Sequence, residues 1–282
     1  QRKLAAGAVN DYVNNFSSQL QGKGGDTARL ALQVGLVDKL LGRIEGNDYL
    51  VGLVGAKNED GLYEAVEFER YVARKRPLHL GAEKGDRVAV ITAEGSIIPG
   101  EQPPGTIGGD SLAQLIRGAV EAEGVKAIVL RVNSGGGSMF ASEIIRQQVL
   151  YARDKGVPVV VSMGAVAASG GYYIAADADE IWATPSTITG SIGVFAAFPT
   201  FEELMGRVGI HTDGVGTTDL AGSLRPDRPL NPELVDALNS GVEFAYKTFV
   251  DIVAQGRDMN PADVDPLAQG RVWSSADALA SG

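Results

Sequence analysis

Cysteine is absent from the 282 residues, which excludes disulfides, thiolate metal sites and a cysteine nucleophile while leaving the compartment open. Histidine is nearly absent. His79 and His211 are the only two, too few for a histidine-rich metal centre. No apolar run reaches the roughly 18 to 20 residues that a membrane span needs, and no secretory leader is recognisable. Lysine is missing from the whole interval between Lys155 and Lys247. Basic charge is short overall, with 25 Lys and Arg against 35 Asp and Glu, a formal charge of -10 and a pI near 4.8. That balance argues against nucleic acid or an anionic membrane surface as the main partner, because both need a basic face. The chain opens at Gln1 without a methionine and stops after a helix-like ALASG, so it is expected to be a fragment of a longer protein.

With 44% hydrophobic residues, the chain can bury a large core as one large domain or two smaller ones. Residues 5–22 place Val9, Tyr12, Val13, Phe16 and Leu20 near one helical face. Gly24-Gly25-Asp26-Thr27 begins a second helix, which Gly35 ends. From Asn47 to Arg76, YLVGLVG and AVEFERYVA suggest strand or short helix, and RKRPLHLGAEKGD, with Arg74, Lys75 and Arg76, reads as an exposed linker.

At Arg87 the character changes. RVAVITAEGSIIPG is an apolar strand that turns back on itself, SLAQLIRGAVEAEGV an amphipathic helix, KAIVLRVNS a second strand, and SMFASEIIRQQVLYARDKG a long helix opening at Ser138. The β-branched strand VPVVVSM, a small-residue turn holding Ser169, the helix GGYYIAADA and the strand EIWATP follow. Strands alternating with helices predict an α/β core with a mainly parallel sheet covered on both faces, over residues 86–224. From Pro232 the chain is helical.

The tail ALASG at 278–282 echoes ALQVG at 31–35, each after a helix carrying Tyr and Phe: Tyr12 and Phe16, then Tyr246 and Phe249. This weak repeat predicts that residues 1–45 are the C-terminal end of a first tandem copy, 46–85 a linker, and 86–282 a nearly complete second copy.

Chemistry concentrates in two glycine turns after neighbouring strands, Asn133-Ser134-Gly135-Gly136-Gly137-Ser138 and Ala167-Ala168-Ser169-Gly170-Gly171. Ligands of parallel sheets bind off the carboxyl ends of strands, so both turns are candidates for one crevice. Ser169, at the start of a helix, is open to two readings: an ordinary N-cap, or a nucleophile whose neighbour Gly170 offers a free amide to a developing oxyanion. A phosphate loop is disfavoured, because GGGSMF lacks the last glycine of GxGxxG and no GxxxxGK[ST] occurs. A nucleophilic serine needs a base. His79 lies in the linker and His211 in GIHTDG, a predicted strand end, and neither suits a triad. The other solution is a buried lysine kept neutral, and the lysine gap leaves Lys247, in mid-helix, as a solvated residue.

RVNSGGGS, VPVVVSMGAVAASGGYYIA and PSTITGSIGVF, followed by GIHTDGV and AQGRVW, resemble the signal peptide peptidase A family of serine proteases in its long form, built from two tandem ClpP/crotonase-like domains. GGDTARLAL and GLVDKL resemble the end of that family's first copy. The resemblance implies an α/β fold with a repeated β-β-α core, a mainly parallel sheet and a helical C-terminal arm. It implies a Ser-Lys endopeptidase that degrades cleaved signal peptides in or near the membrane, without a cofactor or metal. By residue, Ser169 matches the nucleophile, Gly136 and Gly170 the oxyanion amides, and Ser191 in TGSIG the serine that orients the lysine.

In the family's short form that lysine follows the GIHTDGV segment, where this chain reads Gly216-Thr217-Thr218-Asp219. In the long form it comes from the first copy, here upstream of Gln1. Gly135 also stands where the family usually has proline. Met139, Phe140, Val194 and Phe195 flank the turns as candidates to line a hydrophobic substrate pocket. The implied partners are signal peptide remnants, the upstream half of the same protein, and further copies in a homo-oligomer, a tetramer; no nucleic acid is implied. The implied location is the bacterial cytoplasmic membrane, with the protease part outside the cytoplasm. Two other readings share the fold: a crotonase-like acyl-CoA hydratase or isomerase, which needs paired carboxylates near the turns, and a non-catalytic assembly repeat.

Overall fold

The computed structural model describes residues 4–55, 57, 59, 61–63, 85–218 and 220–282. His79, the Arg74-Lys75-Arg76 cluster and Asp219 lie outside them. The chain divides into two compact units, Gln1–Leu40 with Val194–Phe249, and Leu41–Gly193 with Val250–Gly282.

The second unit is built on a parallel sheet. Strands β1 (Arg87–Glu94), β4 (Val125–Ser134) and β5 (Val159–Ala168) pair in parallel, and β5 pairs in parallel on its other edge with β6 (Glu180–Trp182) along its first half and β7 (Ile188–Gly190) along its second. Among the described strands of this sheet, only β8 (Val272–Ser274) runs antiparallel, against β7. One face of the sheet, with Ile91, Ile128, Leu130, Val132, Val159, Val161 and Met163, is buried in a common core with Leu112 and Ile116 of α5 (Gly109–Glu121) and Ile145 and Val149 of α6 (Met139–Asp154). Helices at i, i+3, i+4 spacing on β-branched strands give this layer its dry interior. The opposite face differs from expectation. Val88, Val90 and Trp182 are more than half exposed, so among the described residues helices cover the sheet on one side only along β1 and β6.

The mainly parallel α/β class and the helical C-terminal arm agree with the sequence. That arm is formed by α9 (Pro232–Gly256), α10 (Pro261–Val264) and α11 (Ser275–Ala280). Several local expectations do not hold. Residues 5–22 form two helices, α1 (Ala8–Asn14) and α2 (Phe16–Gln21), separated at Asn15, whose backbone leaves the helical region at φ -105. The segment after Asn47, read as strand or short helix, is helical, as part of α4 (Arg43–Val54), and AVEFERYVA lies outside the described residues. The predicted hairpin at 87–100 does not close. Ile97 and Ile98 form β2, which pairs in parallel with β3 (Ile107–Gly108) in a separate small sheet. Ile97 is fully buried, and its N–H donates to Gly136 O at 3.0 Å while its carbonyl accepts from Ser138 N at 2.8 Å. The glycine turn therefore captures the strand that would have folded back. GIHTDG is exposed and irregular, not a strand end, and GGYYIAADA contributes only the short helix α7 (Gly170–Tyr173).

In the first unit, α3 (Thr27–Gln33) ends before Gly35 at φ +77, as its glycine predicts. Leu20, Leu30 and Ala237 of α9 form a small core with Tyr12 and Phe16 against it. Here too lies α8 (Glu202–Arg207), in a stretch with many exposed apolar side chains.

Candidate active site

Parallel pairing sets the two predicted serines side by side. Ala168 of β5 is in register with Gly190 of β7, so Ser169 and Ser191 are the next residues off adjacent strand ends. The Ser169 N–H donates to Gly190 O at 2.9 Å. Both serines have left-handed backbones, φ 51 for Ser169 and φ 50 for Ser191, two of four such non-glycine residues described. Each holds of the order of 1–3 kcal/mol of strain, which persists only where the surroundings over-determine it.

A break in the ladder aims Ser169. Val132 pairs with Met163, but Ser134 pairs with Ala167, so β5 carries two extra residues between these pairs. The Asn133 side chain fills part of the gap by accepting from Val166 N at 3.3 Å. From the far side, the buried Thr187 and Thr189 hydroxyls donate to the carbonyls of Gly164 and Ala167, each at 2.8 Å. Such bulges re-aim a side chain at a strand end. PSTITGS and Asn133 thus have a structural task around Ser169 that the sequence pattern alone did not reveal.

AQGRVW has one as well. The Arg271 carbonyl accepts from Ser191 N at 2.6 Å, and Gly270 N donates to Ile192 O at 2.9 Å, so β8 and the residues before it hold the Ser191 turn in place.

Ser169 precedes α7 but makes no side-chain capping hydrogen bond. Its hydroxyl is therefore not spent on the helix. Gly170, at the first helical position, has no intrahelical acceptor for its N–H. The first glycine turn packs directly on it: a Cβ on Gly136 would stand 2.5 Å from Gly170 N and 2.8 Å from Ser169 Cβ, and a Cβ on Gly170 would stand 3.1 Å from Gly137 N. Only glycine permits so close an approach of two backbones.

The sequence-based choice of Gly136 as a donor meets a difficulty here. Its N–H donates to Ser134 Oγ at 3.0 Å, and Ser134 in turn donates to Gly95 O at 2.7 Å. Ile97 bonds to the residues on either side of Gly137, as in a parallel bridge, which turns the Gly137 N–H away from Ile97. Gly137, at φ 152, is a further candidate amide in this turn, one the sequence reading did not name, its only signal being the third glycine of the run.

No base accompanies Ser169 among the described lysines of this unit. Lys57 pairs with Asp48 at 4.0 Å, Lys126 with Asp86 at 3.7 Å, both at the surface, and Lys155 lies over the Tyr151 ring at 5.3 Å. His211 is exposed and belongs to the other unit.

The four pocket candidates are divided between the units. Met139 is half-buried and Phe140 is 69% exposed in one; Val194 is half-buried and Phe195 89% exposed in the other. None of them lines the mainly apolar cleft between Tyr172, Gly190, Ile192, Val253, Arg257 and Trp273. No group of three or more metal-ligating side chains occurs among the described residues.

Behind the turns lies a charged network. Arg146 on α6 binds Glu143 through Nε at 2.7 Å and Nη2 at 3.0 Å, and also pairs with Asp177. Tyr173 of α7 donates to Glu143 Oε2 at 2.8 Å. Burial raises the Glu143 carboxyl, but the bonds and charge of Arg146, with the Tyr173 and Gln147 bonds, outweigh it and hold the group below its ordinary range. Burial, then the Glu143 charge, push the Tyr173 phenol well up. Both carboxylates are engaged by one guanidinium, so they do not form the free acid-base pair that hydratase chemistry needs.

Comparison with known proteins matches this site to one family. Residues 151–282 match peptidase family S49. The chain is 42% identical over 281 residues to Protease 4 of Haemophilus influenzae, covering 100% of this chain and 45% of that protein. It is 44% identical over 259 residues to Protease 4 of Salmonella typhi, covering 92% and 41%. It is 36% identical over 231 residues to a chloroplastic serine protease, SPPA, of Arabidopsis thaliana, covering 79% and 34%. The chain thus spans less than half the length of these relatives. Ser169, Ser191 and the Arg271 segment that supports them all fall within residues 151–282, the part of the chain that is a peptidase S49 domain.

Proposed function

We propose that this chain is the nucleophile-bearing part of a Ser-Lys endopeptidase that hydrolyses signal peptide remnants. The observation that carries this reading is Ser169: a serine at a strand end, in a left-handed backbone, with its hydroxyl released from the helix it precedes. Its oxygen attacks the peptide carbonyl carbon as its proton passes to a neutral lysine amine, and the tetrahedral oxyanion is held by backbone N–H groups of Gly170 and the first glycine turn. Gly137 supplies the second amide in preference to Gly136, whose N–H is already bonded to Ser134. Collapse expels the amine, which takes the proton back from lysine, and water then releases the acyl group. Ser191, beside Ser169, orients the lysine.

The lysine comes from a segment upstream of Gln1. Residues 1–45 belong to a first tandem copy and 86–282 to a second; that both α3 and α11 are followed by a left-handed glycine, Gly35 and Gly282, supports the repeat. Copies assemble into a tetramer, and the exposed Phe195, Leu204, Val208 and Val215 are apolar surface suited to an interface. The protein works at the outer side of the bacterial cytoplasmic membrane; no helix among the described residues is long and apolar enough to cross one.

Hydrolysis of an apolar fluorogenic peptide tests the reading. Residues 1–282 alone should be inactive, and the chain joined to its upstream half active. Ser169→Ala in the longer protein should reduce hydrolysis by about 10³-fold or more. Full activity in that variant overturns the assignment.

A further inference from the structure

The two turns that meet at Ser169 are each followed by a helix, α6 after the glycine run and α7 after Ser169. Backbone contact between the turns sets where their amides point, yet glycine-rich turns are the least self-supporting backbone in the unit. Something must hold the helices to one another. Apolar packing alone permits sliding by fractions of an ångström, whereas oxyanion donors have to be placed to about that tolerance.

The Glu143-Arg146-Asp177-Tyr173 network makes that connection. Glu143 and Arg146 lie in the first two turns of α6, five and eight residues past Ser138. Tyr173 ends α7, four residues past Ser169, and is 1% exposed. Asp177 follows it, with its side chain 3% exposed. The connection extends further along α6. Arg153 donates to the Asp177 carbonyl at 2.6 Å and to Asp179 at 3.0 Å, and Asp179 accepts from Val159 N at 2.8 Å where β5 begins. Both ends of the segment from β5 to Asp179, which contains Ser169, are thereby fastened to α6 by directional, charge-assisted bonds. The catalytic scheme uses none of these side chains.

We propose that Glu143 is a positioning residue: through Arg146 and Tyr173 it fixes α7 against α6, and so sets the spacing of the Gly170 and Gly137 amides that hold the oxyanion. This rests on the reading of Ser169 as nucleophile. Glu143 accepts the Tyr173 hydroxyl and the Arg146 guanidinium at once, which makes it the junction of the network.

The test uses the protein with its upstream half. A peptide aldehyde adds the Ser169 oxygen to its carbonyl carbon, and the oxygen formed there occupies the oxyanion position, so its affinity reports the amides while KM reports peptide binding. Glu143→Gln keeps the side-chain shape and should lower kcat about 10- to 100-fold with KM within about 2-fold, and the aldehyde inhibition constant should rise by the same factor as kcat falls. Tyr173→Phe should act in the same direction, and the double variant should lose no more than the worse single one, as coupled residues do. Glu121→Gln breaks a comparable pair, with Arg117 on α5 at 3.0 Å, and should leave kcat unchanged. Unaltered kcat and aldehyde affinity in folded Glu143→Gln, or an equal loss in Glu121→Gln, overturns the proposal. If Ser169→Ala is inactive while Glu143→Gln is unaffected, the positioning role alone fails; if Ser169→Ala still hydrolyses peptide, the nucleophile reading beneath it fails.

Discussion

Two serines in the same unit stand immediately before helices, after strands, and next to glycine, yet they do different things. Ser138 has an ordinary extended backbone, φ -61 and ψ 121, and its hydroxyl accepts from Ala141 N at 3.3 Å, so it caps α6. Ser169 has φ 51 and ψ -123 and caps nothing. In the first the hydroxyl stabilises the helix; in the second the backbone is forced into a sparsely populated region and the hydroxyl is left for chemistry. The surroundings account for the difference. Ser138 follows a glycine run, which accommodates an extended backbone, while Ser169 follows a strand bulge held by Asn133, Thr187 and Thr189.

Activity separates the two serines most widely. In the protein with its upstream half, Ser138→Ala should retain kcat within a few-fold, against the loss of about 10³-fold or more expected for Ser169→Ala. Comparable losses in both would erase the distinction between cap and nucleophile.

Next in size is the link between the helices that follow the two serines. Arg146→Ala leaves Asp177, nearly fully buried, without its cation, and removal of one partner of a buried pair costs about 3–5 kcal/mol. Urea unfolding should show that loss, with a reduced midpoint. Acid sharpens the same point. The folded Glu143 carboxyl titrates below its ordinary value, so its contribution is complete above the unfolded pKa of about 4.3 and fades as pH falls through the lower folded value. The wild type should lose stability on acidification below about pH 4, and Glu143→Gln should show a shallower acid dependence in the same titration.

The comparison also marks what was legible in the sequence. Strand, turn and helix around both serines were readable, because Val157–Val161 and Ile128–Val132 are runs of β-branched and apolar residues that only a buried sheet accommodates. The cap was readable at Ser138 from the helical pattern behind it. Which serine was strained was not, since the bulge arises from a register shift between β4 and β5 that no local pattern encodes. The sequence pattern named Gly136 without weighing Gly137: in a run of three glycines, the bridge to Ile97, which turns the Gly137 N–H away from that strand, is encoded by no local pattern. Ile97 itself was misread as the return of a hairpin, because its partners lie some 40 residues further on. Glu143, Arg146 and Asp177 all fall within predicted helices, where no local pattern marks them as buried together; the packing of α7 on α6 does that. The lysine gap, by contrast, was plain from composition.

The smallest effects test the serines through stability. Ser138→Ala should cost about 1 kcal/mol, the usual worth of a cap, whereas Ser169→Ala removes no capping bond and should stay within about 0.5 kcal/mol of wild type. Glycine goes further at position 169. It relieves about 1–3 kcal/mol of left-handed strain and gives back roughly 0.5–1 kcal/mol in chain entropy, so Ser169→Gly should be more stable than Ser169→Ala by about 1 kcal/mol. At position 138, where the backbone is already relaxed, Ser138→Gly should show no such gain. Denaturation midpoints of the four variants decide this: if glycine stabilises neither site, the backbone at Ser169 is unstrained, and the contrast between the serines reduces to the hydroxyl alone.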